Sequence, residues 1–342
     1  MDTGQAVEHL ARAEGRRVRP IKDPEELDEL DARLGRRLPA IRVSRRSPGS
    51  KTGSAFVAEG LDRDPTHDNA GRLPYLVDFF NRRVLPMVDS EADVVGAYRV
   101  ELHDSYSYLP GRHLYEEALT FGRAPDAPER RVTLLPNPYH MGDFGGIVAA
   151  AAADPVPWAD KKPTLFFAGT TTGDRDPAKN ARIRACVWSL DRRDVAEMHV
   201  TKIAQMDPNA ILAAHPRFAE TLHAPFPTEA HFAYRYQVNV VGNTACWSRL
   251  PMILASRSLM VHARAAAPDD AMWYYPLLRE GRHYVGADSA EGPDLLKAHA
   301  FCRSYDRQCR AMVDEANALA RDLFHSGCAA AYAATLLEEA AY

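Results

Sequence analysis

Two α/β halves, each a sheet covered by helices, are what this 342-residue sequence predicts. Three observations carry the expectation. Residues 236–261 read as an apolar strand, a stop at Gly242 and Asn243, a helix ending near Ser256, and a second apolar run from Leu259 to Val261, the pattern of a parallel βαβ unit. Upstream, Thr164 to Phe167 reads as a short strand, AGTTTGDRDP (168–177) as a phosphate-loop-like turn, and Pro177 to Leu190 as a helix with Ile183, Val187 and Leu190 inward. Before both lies ADPVPWADKKP (153–163), with the proline and charge content of an inter-domain linker.

The remaining elements follow in order. Asp23 to Gly35 carries a capping Asp23, Pro24 at the first helical position, Glu26 three after the cap, and Leu27, Leu30 and Leu34 on one face, which predicts an amphipathic helix. Arg33, Arg36, Arg37, Arg42, Arg45 and Arg46 then accumulate before a Ser/Gly/Pro-rich loop; the tract is either a solvated charged segment or a contact for anionic lipid or a phosphorylated acceptor. Pro74 to Val84 predicts a helix with an aromatic face, Asp93 to Leu102 a strand, and Val132 to Leu135 a further strand. From Asp294 onward the chain reads as helix almost throughout, broken near Ser326 and Gly327.

Composition removes several function classes. A formal charge of −4 supplies no overall positive field for nucleic acid. The N-terminal stretch has no apolar core of a secretory signal, and the most apolar tract, Ile147 to Ala153, is far below the roughly 20 residues that span a bilayer. A cytoplasmic protein is expected, with peripheral contact to an inner membrane surface through the arginine tract. Cys186, Cys246, Cys302, Cys309 and Cys328 form an odd set without C-x-x-C spacing, which suggests reduced thiols, with Cys302 and Cys309, one heptad apart on a helix, as buried apolar residues.

Chemistry-bearing residues concentrate in three places. The loop holding Gly169, Thr171, Thr172 and Gly173 can converge backbone N–H groups and hydroxyls on an anion, although it is neither a Walker sequence nor G-x-G-x-x-G. Gly242, Asn243 and Thr244 are expected to open the following helix and offer its N-terminus, with Ser248 and Arg249 one turn inside. The segment after the Asp93–Leu102 strand, HDSYSYLPGR, offers His103, Asp104 and Tyr106; Asp104 is the candidate acid or base, its alternative being a strand-terminating turn. His140, in the later proline-rich loop, is a structural or acceptor-contacting histidine. Asp174-Arg175-Asp176 has D-x-D spacing for a divalent metal, yet turn and cap roles suit it better; no histidine pair has zinc spacing, and no G-x-S-x-G elbow occurs.

Taken together, YRYQVNVVGNTACWSRLPMILASRSLMVH (234–262), WYYPLLREGRHYVGA (273–287), DLLKAHAFCRSYDRQCRAM (294–312), FFAGTTTGDRDPAKNARIRAC (166–186) and VELHDSY (100–106) resemble glycosyltransferase family 90. That family includes capsule-associated xylosyltransferases, Rumi-type protein O-glucosyltransferases and lipopolysaccharide-modifying enzymes. The resemblance implies a GT-B fold of two facing Rossmann-like domains, an acceptor-side domain over 1–160 joined by returning helices over 310–342, and a nucleotide-sugar domain over 161–309. It further implies an inverting transferase that needs no metal or other cofactor. The expected donor is a UDP-linked glucose or xylose, and the expected acceptor a surface glycan or glycolipid such as a lipopolysaccharide intermediate. Carried over by position, Asp104 matches the general base, Gly169, Thr172, Asn180 and Arg182 the first donor motif, and Gly242, Asn243, Ser248 and Arg249 the second. Two positions depart from the family's pattern: Ala168 stands where the family has Arg, and Val241 where Asp usually precedes Gly-Asn. They leave open a non-catalytic nucleotide- or sugar-binding module of the same fold.

Overall fold

A computed structural model of the chain describes residues 2–34, 39–46, 54–63, 69–103, 118–123, 132–243, 245–263 and 271–341. The chain divides into two compact units: Met1–Gly142 with Asp270–Tyr275 and His325–Tyr342, and Asp143–Asp269 with Pro276–Phe324.

In the first unit the helices are α1 (Thr3–Gly15), α2 (Pro24–Leu34), α3 (Arg72–Phe79) and α4 (Pro138–Met141), and the strands β1 (Ala40–Arg45), β2 (Phe56–Leu61), β3 (Gly96–Glu101), β4 (Ala118–Thr120) and β5 (Thr133–Leu134). They form a five-stranded sheet in the order β2-β1-β3-β4-β5. β3, β4 and β5 are parallel, as a Rossmann-like unit requires, but β1 is antiparallel to both β2 and β3. Connection length accounts for the β1–β2 pairing: only residues 46–55 separate them, too few for a parallel crossover. α1, which the sequence reading did not anticipate, starts with a capping box at Asp2 and Gln5. Its buried Glu14 accepts from Arg123 Nη2 at 2.7 Å and from the backbone N–H of Leu134 at 3.0 Å, tying the helix to the sheet. Of the arginine tract, Arg42 pairs with Glu59, Arg45 donates to Ser90 O, and Arg46 donates to Phe56 O, so these three are engaged within the unit. Arg36 and Arg37 lie outside the described residues.

The second unit contains α5 (Ile147–Ala152), β6 (Lys162–Thr170), α6 (Ala181–Ser189), β7 (Ala196–Lys202), α7 (Pro208–Ala214), α8 (Thr228–His231), β8 (Tyr234–Val240), α9 (Arg249–Ala255), β9 (Leu259–Ala263), β10 (Val285–Ala287), α10 (Gly292–Ser304) and α11 (Asp306–Leu323). The last helix, α12 (Ser326–Ala340), returns to the first unit and packs on α1. All five strands of the second unit are parallel, in the order β10-β9-β8-β6-β7. That is the doubly wound order in which the chain steps outward from β6 to β7 and then returns past β6 to build β8, β9 and β10. Leu165, Phe167, Tyr236, Val238, Val240 and Val261 face the main core, against Ile183 and Cys186 of α6 and Leu295 and Cys302 of α10. Cys302 and Cys309 are both buried there.

The unit boundary falls at Gly142 and Asp143, earlier than the expected 160/161, and again at Phe324 and His325 rather than at 310. Residues 153–163 belong to the second unit because Asp154 and Lys161 form a fully buried ion pair and Trp158 is buried, its Nε1 donating to Asp306 at 3.0 Å. α11 stays with the second unit through its contacts with α9 and β9. A second difference concerns α9. The sequence reading starts this helix at Thr244, whereas it begins at Arg249. Pro251 explains the shift: proline is tolerated in a first turn but not in an interior, where it lacks the N–H and clashes with the carbonyl four residues back. Gly242 and Asn243, expected at an anion-binding helix N-terminus, therefore lie in a loop that precedes α9.

Candidate donor site

The carboxyl ends of β6 and β8 are adjacent strands whose connections leave in opposite directions, the arrangement that opens a ligand crevice in doubly wound sheets. Both glycine loops emerge there. β6 loses register against β7 between Gly169 and Thr170, an irregularity that releases the chain into the threonine loop.

Two cross-links join the loops. Asn243 Oδ1 accepts from the backbone N–H of Gly173 at 3.0 Å. Arg182, on α6, donates through Nε to Val241 O at 3.0 Å and through Nη2 to Val240 O at 3.0 Å, while its Nη1 donates to Thr172 Oγ1 at 2.6 Å and Thr170 O at 3.2 Å. Gly242 makes this possible, since a Cβ there would lie 2.8 Å from both Arg182 Nη2 and Thr172 Oγ1. Asn180 caps α6, accepting from the N–H of Ile183 at 3.1 Å, and its amide donates to Thr171 O at 3.0 Å and Asp174 O at 2.9 Å. Gly173 has φ of +134°, a conformation reserved for glycine.

Arg249 is differently placed. Its guanidinium sits 4.4 Å from the Phe167 ring centroid and donates through Nη2 to Ala168 O, while Nη1 is enclosed without a hydrogen-bond partner among the described residues. Gly169 leaves the space for it, because a Cβ there would be 2.6 Å from Nη2. Burial pushes the Arg249 pKa down to about 10, with Arg182 adding repulsion and Cys246 opposing, and no carboxylate pairs with it among the described residues. The site thus holds one fully engaged guanidinium and one half-buried cation with an N–H unused among the described residues.

The other anticipated residues are placed as follows. Thr171 is buried, its hydroxyl donating to Ala204 O and accepting from Ala204 N–H, both at 2.8 Å, so it anchors the loop to the end of β7. Ser248 is the N-cap of α9 but makes no capping hydrogen bond. In the first unit, His103 bonds the buried Glu101 through both its backbone N–H and Nδ1. His140 is fully buried and stacks 5.5 Å from Trp273, on the inward side of α4, so it is enclosed and not presented to an acceptor. Asp104, Tyr106 and Thr244 lie outside the described residues. The D-x-D carboxylates serve their own turn: Asp174 Oδ1 accepts from Asp176 N–H at 2.9 Å, and Asp176 Oδ1 from Ala178 N–H at 3.0 Å.

Sequence reading missed Phe167, Cys246 and Arg175. Phe167 lies under both guanidiniums, 4.4 Å from Arg249 and 5.8 Å from Arg182. Cys246 accepts from Arg182 Nη2 at 3.3 Å and donates to Val240 O at 3.2 Å. Arg175, read only as the middle of D-x-D, is exposed on the loop and makes no hydrogen bond or ion pair among the described residues. The two family departures fall at backbone contacts: Ala168 O serves Arg249 and Val241 O serves Arg182. Ala168 itself packs with Phe166 and Tyr234, on the sheet face away from Phe167. A separate cavity of about 330 Å³ lies against edge strand β10, lined by Glu280, Asp288, Asp294, Lys297 and Phe301; β9 lies between β10 and the β8–β6 junction.

Similarity to known proteins is broad and distant. The chain is 26% identical over 179 residues to uncharacterized protein 027R of Frog virus 3, covering 48% of this chain and 18% of the viral protein. It is 26% identical over 167 residues to uncharacterized protein 035R of Invertebrate iridescent virus 3, covering 46% and 15%. The chain therefore spans less than a fifth of the length of these curated relatives. Among solved structures, HepE of Anabaena in complex with UDP and glucose aligns at TM-score 0.39 and 11% identity, covering 58% of this chain and 55% of that one. Sucrose-phosphate synthase from Thermosynechococcus elongatus aligns at TM-score 0.37 and 10% identity, covering 64% and 57%. These structural likenesses are too low to bear on the assignment, which rests on sequence. The sequence model of glycosyl transferase family 90 matches residues 147–342, more than half of the chain and all of the β6–β8 junction, and the protein belongs to that family.

Proposed function

We propose that this protein is an inverting glycosyltransferase that moves a sugar, glucose or xylose first, from a UDP-linked donor to a hydroxyl of a surface glycan or glycolipid. The observation that carries this reading is Arg249: a half-buried guanidinium whose Nη1 is enclosed and unused among the described residues, held where the carboxyl ends of β6 and β8 meet. Burying an unpaired cation is costly, and an arriving diphosphate supplies the missing charge and acceptor.

The chemistry follows from charge. The acceptor oxygen attacks the anomeric carbon as the bond from that carbon to the diphosphate oxygen breaks on the opposite face, which inverts the configuration. Asp104, the family's base by position, takes the acceptor proton as the oxygen becomes acidic late in the step. The leaving diphosphate gains negative charge, and Arg249 with the N–H groups of the threonine loop stabilises it. Asp174 and Asp176 each spend one oxygen on a turn amide, and Asp176 pairs its other with Lys179. The reading therefore assigns neutralisation to these groups and not to a D-x-D metal.

A thermal-shift panel of nucleotide sugars tests the donor half, since a ligand at 100 times its dissociation constant stabilises by about 2.7 kcal/mol. No shift with any nucleotide sugar would overturn the reading. Asp104→Asn should abolish sugar transfer and leave UDP affinity near wild type; an active Asn variant removes Asp104 as the base.

A further inference from the structure

The two junction arginines are not equivalent, and we infer that Arg182 is a positioning residue which holds the carboxyl ends of β6 and β8 together, leaving ligand contact to Arg249. Only the ligand half of this inference rests on the proposed donor site.

Each nitrogen of the Arg182 guanidinium is spent inside the protein. Nε donates to Val240 O and Val241 O, Nη2 to Val240 O and Cys246 Sγ, and Nη1 to Thr172 Oγ1 and Thr170 O. These acceptors belong to both loops, so a single planar fork spans the junction. Arg249 presents the opposite pattern, with one backbone acceptor and one enclosed N–H unused. A fork with five donors in fixed directions can bridge two loops; an ammonium, whose three donors radiate from one point, cannot. At a ligand-facing position, by contrast, an ammonium retains most of what matters, a charge beside a diphosphate. Lysine substitution therefore separates the two roles.

The experiment compares Arg182→Lys and Arg249→Lys. Hydrogen exchange in the nucleotide-free protein should show Arg182→Lys exchanging faster over residues 168–176 and 240–247 and unchanged elsewhere in the second unit, while Arg249→Lys matches wild type. Calorimetry with UDP should then show Arg182→Lys losing as much affinity as Arg182→Met, whereas Arg249→Lys stays within roughly threefold of wild type and Arg249→Met loses on the order of 30-fold, the size of one charge-assisted contact. Wild-type exchange in both loops of Arg182→Lys overturns the inference whether or not UDP binds; so does uniform acceleration across the unit, which marks a general fold contribution. Failure of wild type to bind UDP refutes the donor reading alone. If Arg182→Lys does not fold, Thr172→Val and Cys246→Ala each remove one acceptor and should give the same localised acceleration in smaller measure; its absence in both is equally decisive.

Discussion

Replacing Lys161 by Met should cost the second unit several kcal/mol, because it breaks a buried pair from one side only. Lys161 Nζ donates to Asp154 Oδ2 at 2.6 Å and to Phe232 O at 2.5 Å, with both side chains fully buried. Burial pulls the Lys161 pKa below its ordinary value, against the opposing pull of Asp154. Methionine matches the volume but leaves the carboxylate with only the N–H groups of Val156 at 2.9 Å and Arg257 at 3.1 Å. Stranding one member of such a pair costs about 3–5 kcal/mol. The two amides already bonded to Asp154 hold the loss toward the lower end, about 3 kcal/mol. For a unit of this size the melting midpoint moves by about 2–4 °C per kcal/mol, so a fall of roughly 6–12 °C is expected by calorimetry. Asp154→Leu combined with Lys161→Met removes both charges and should recover most of that fall, since apolar replacement of a buried pair is often neutral or better. A single variant that melts with wild type, or a double variant no better than the single, refutes the reasoning.

Two further outcomes are expected. Gly173→Ala forces a side chain into a backbone conformation at φ +134° and sets its Cβ 3.2 Å from Asn180 Nδ2, so it should cost about 1–3 kcal/mol and weaken UDP binding; unchanged melting and unchanged UDP affinity together would contradict it. Acid should destabilise the second unit through two histidines. Burial, aided by Arg249, lowers the His231 pKa to about 4, and burial, aided by Arg282, lowers that of His283 to about 4, whose Nδ1 accepts from Arg279 N–H at 3.0 Å. The unfolded chain binds these protons near the ordinary value of 6.5, so the contribution is complete above pH 6.5 and is lost as pH falls toward 4. The slope for His283 is at most about 1.4 kcal/mol per pH unit, and less for the more exposed His231. His283→Gln should flatten the stability profile between those pH values, and an unaltered slope by urea unfolding would refute the assignment.

Local pattern carried the second unit a long way. Alternating and continuous apolar runs with β-branched residues read as strands because a buried parallel strand has to be apolar, and β6, β8 and β9 lie where those runs lie, each extended by a residue or more. The family membership and the residues of both glycine loops were likewise legible, since they sit in contiguous motifs. Thr244 misled, because a good capping residue was weighed without Pro251, which fixes the earliest turn at which α9 can begin. Residues 153–163 misled for another reason: proline and charge read as a linker, but the charges of Asp154 and Lys161 are buried on each other.

What the sequence by itself determined is the α/β class, the succession β6, α6, β8, α9 and β9, and the position of the two glycine loops between them, because each depends on residues close together along the chain. Only the tertiary structure decided that β8 lies beside β6, that Arg182 closes on carbonyls up to 59 residues away while Arg249 keeps an unused donor, and that Thr171 and His140 are turned into the interior. Those outcomes depend on which distant groups satisfy each hydrogen bond and charge, and such partners are set by packing across the sheet, where sequence spacing carries no information.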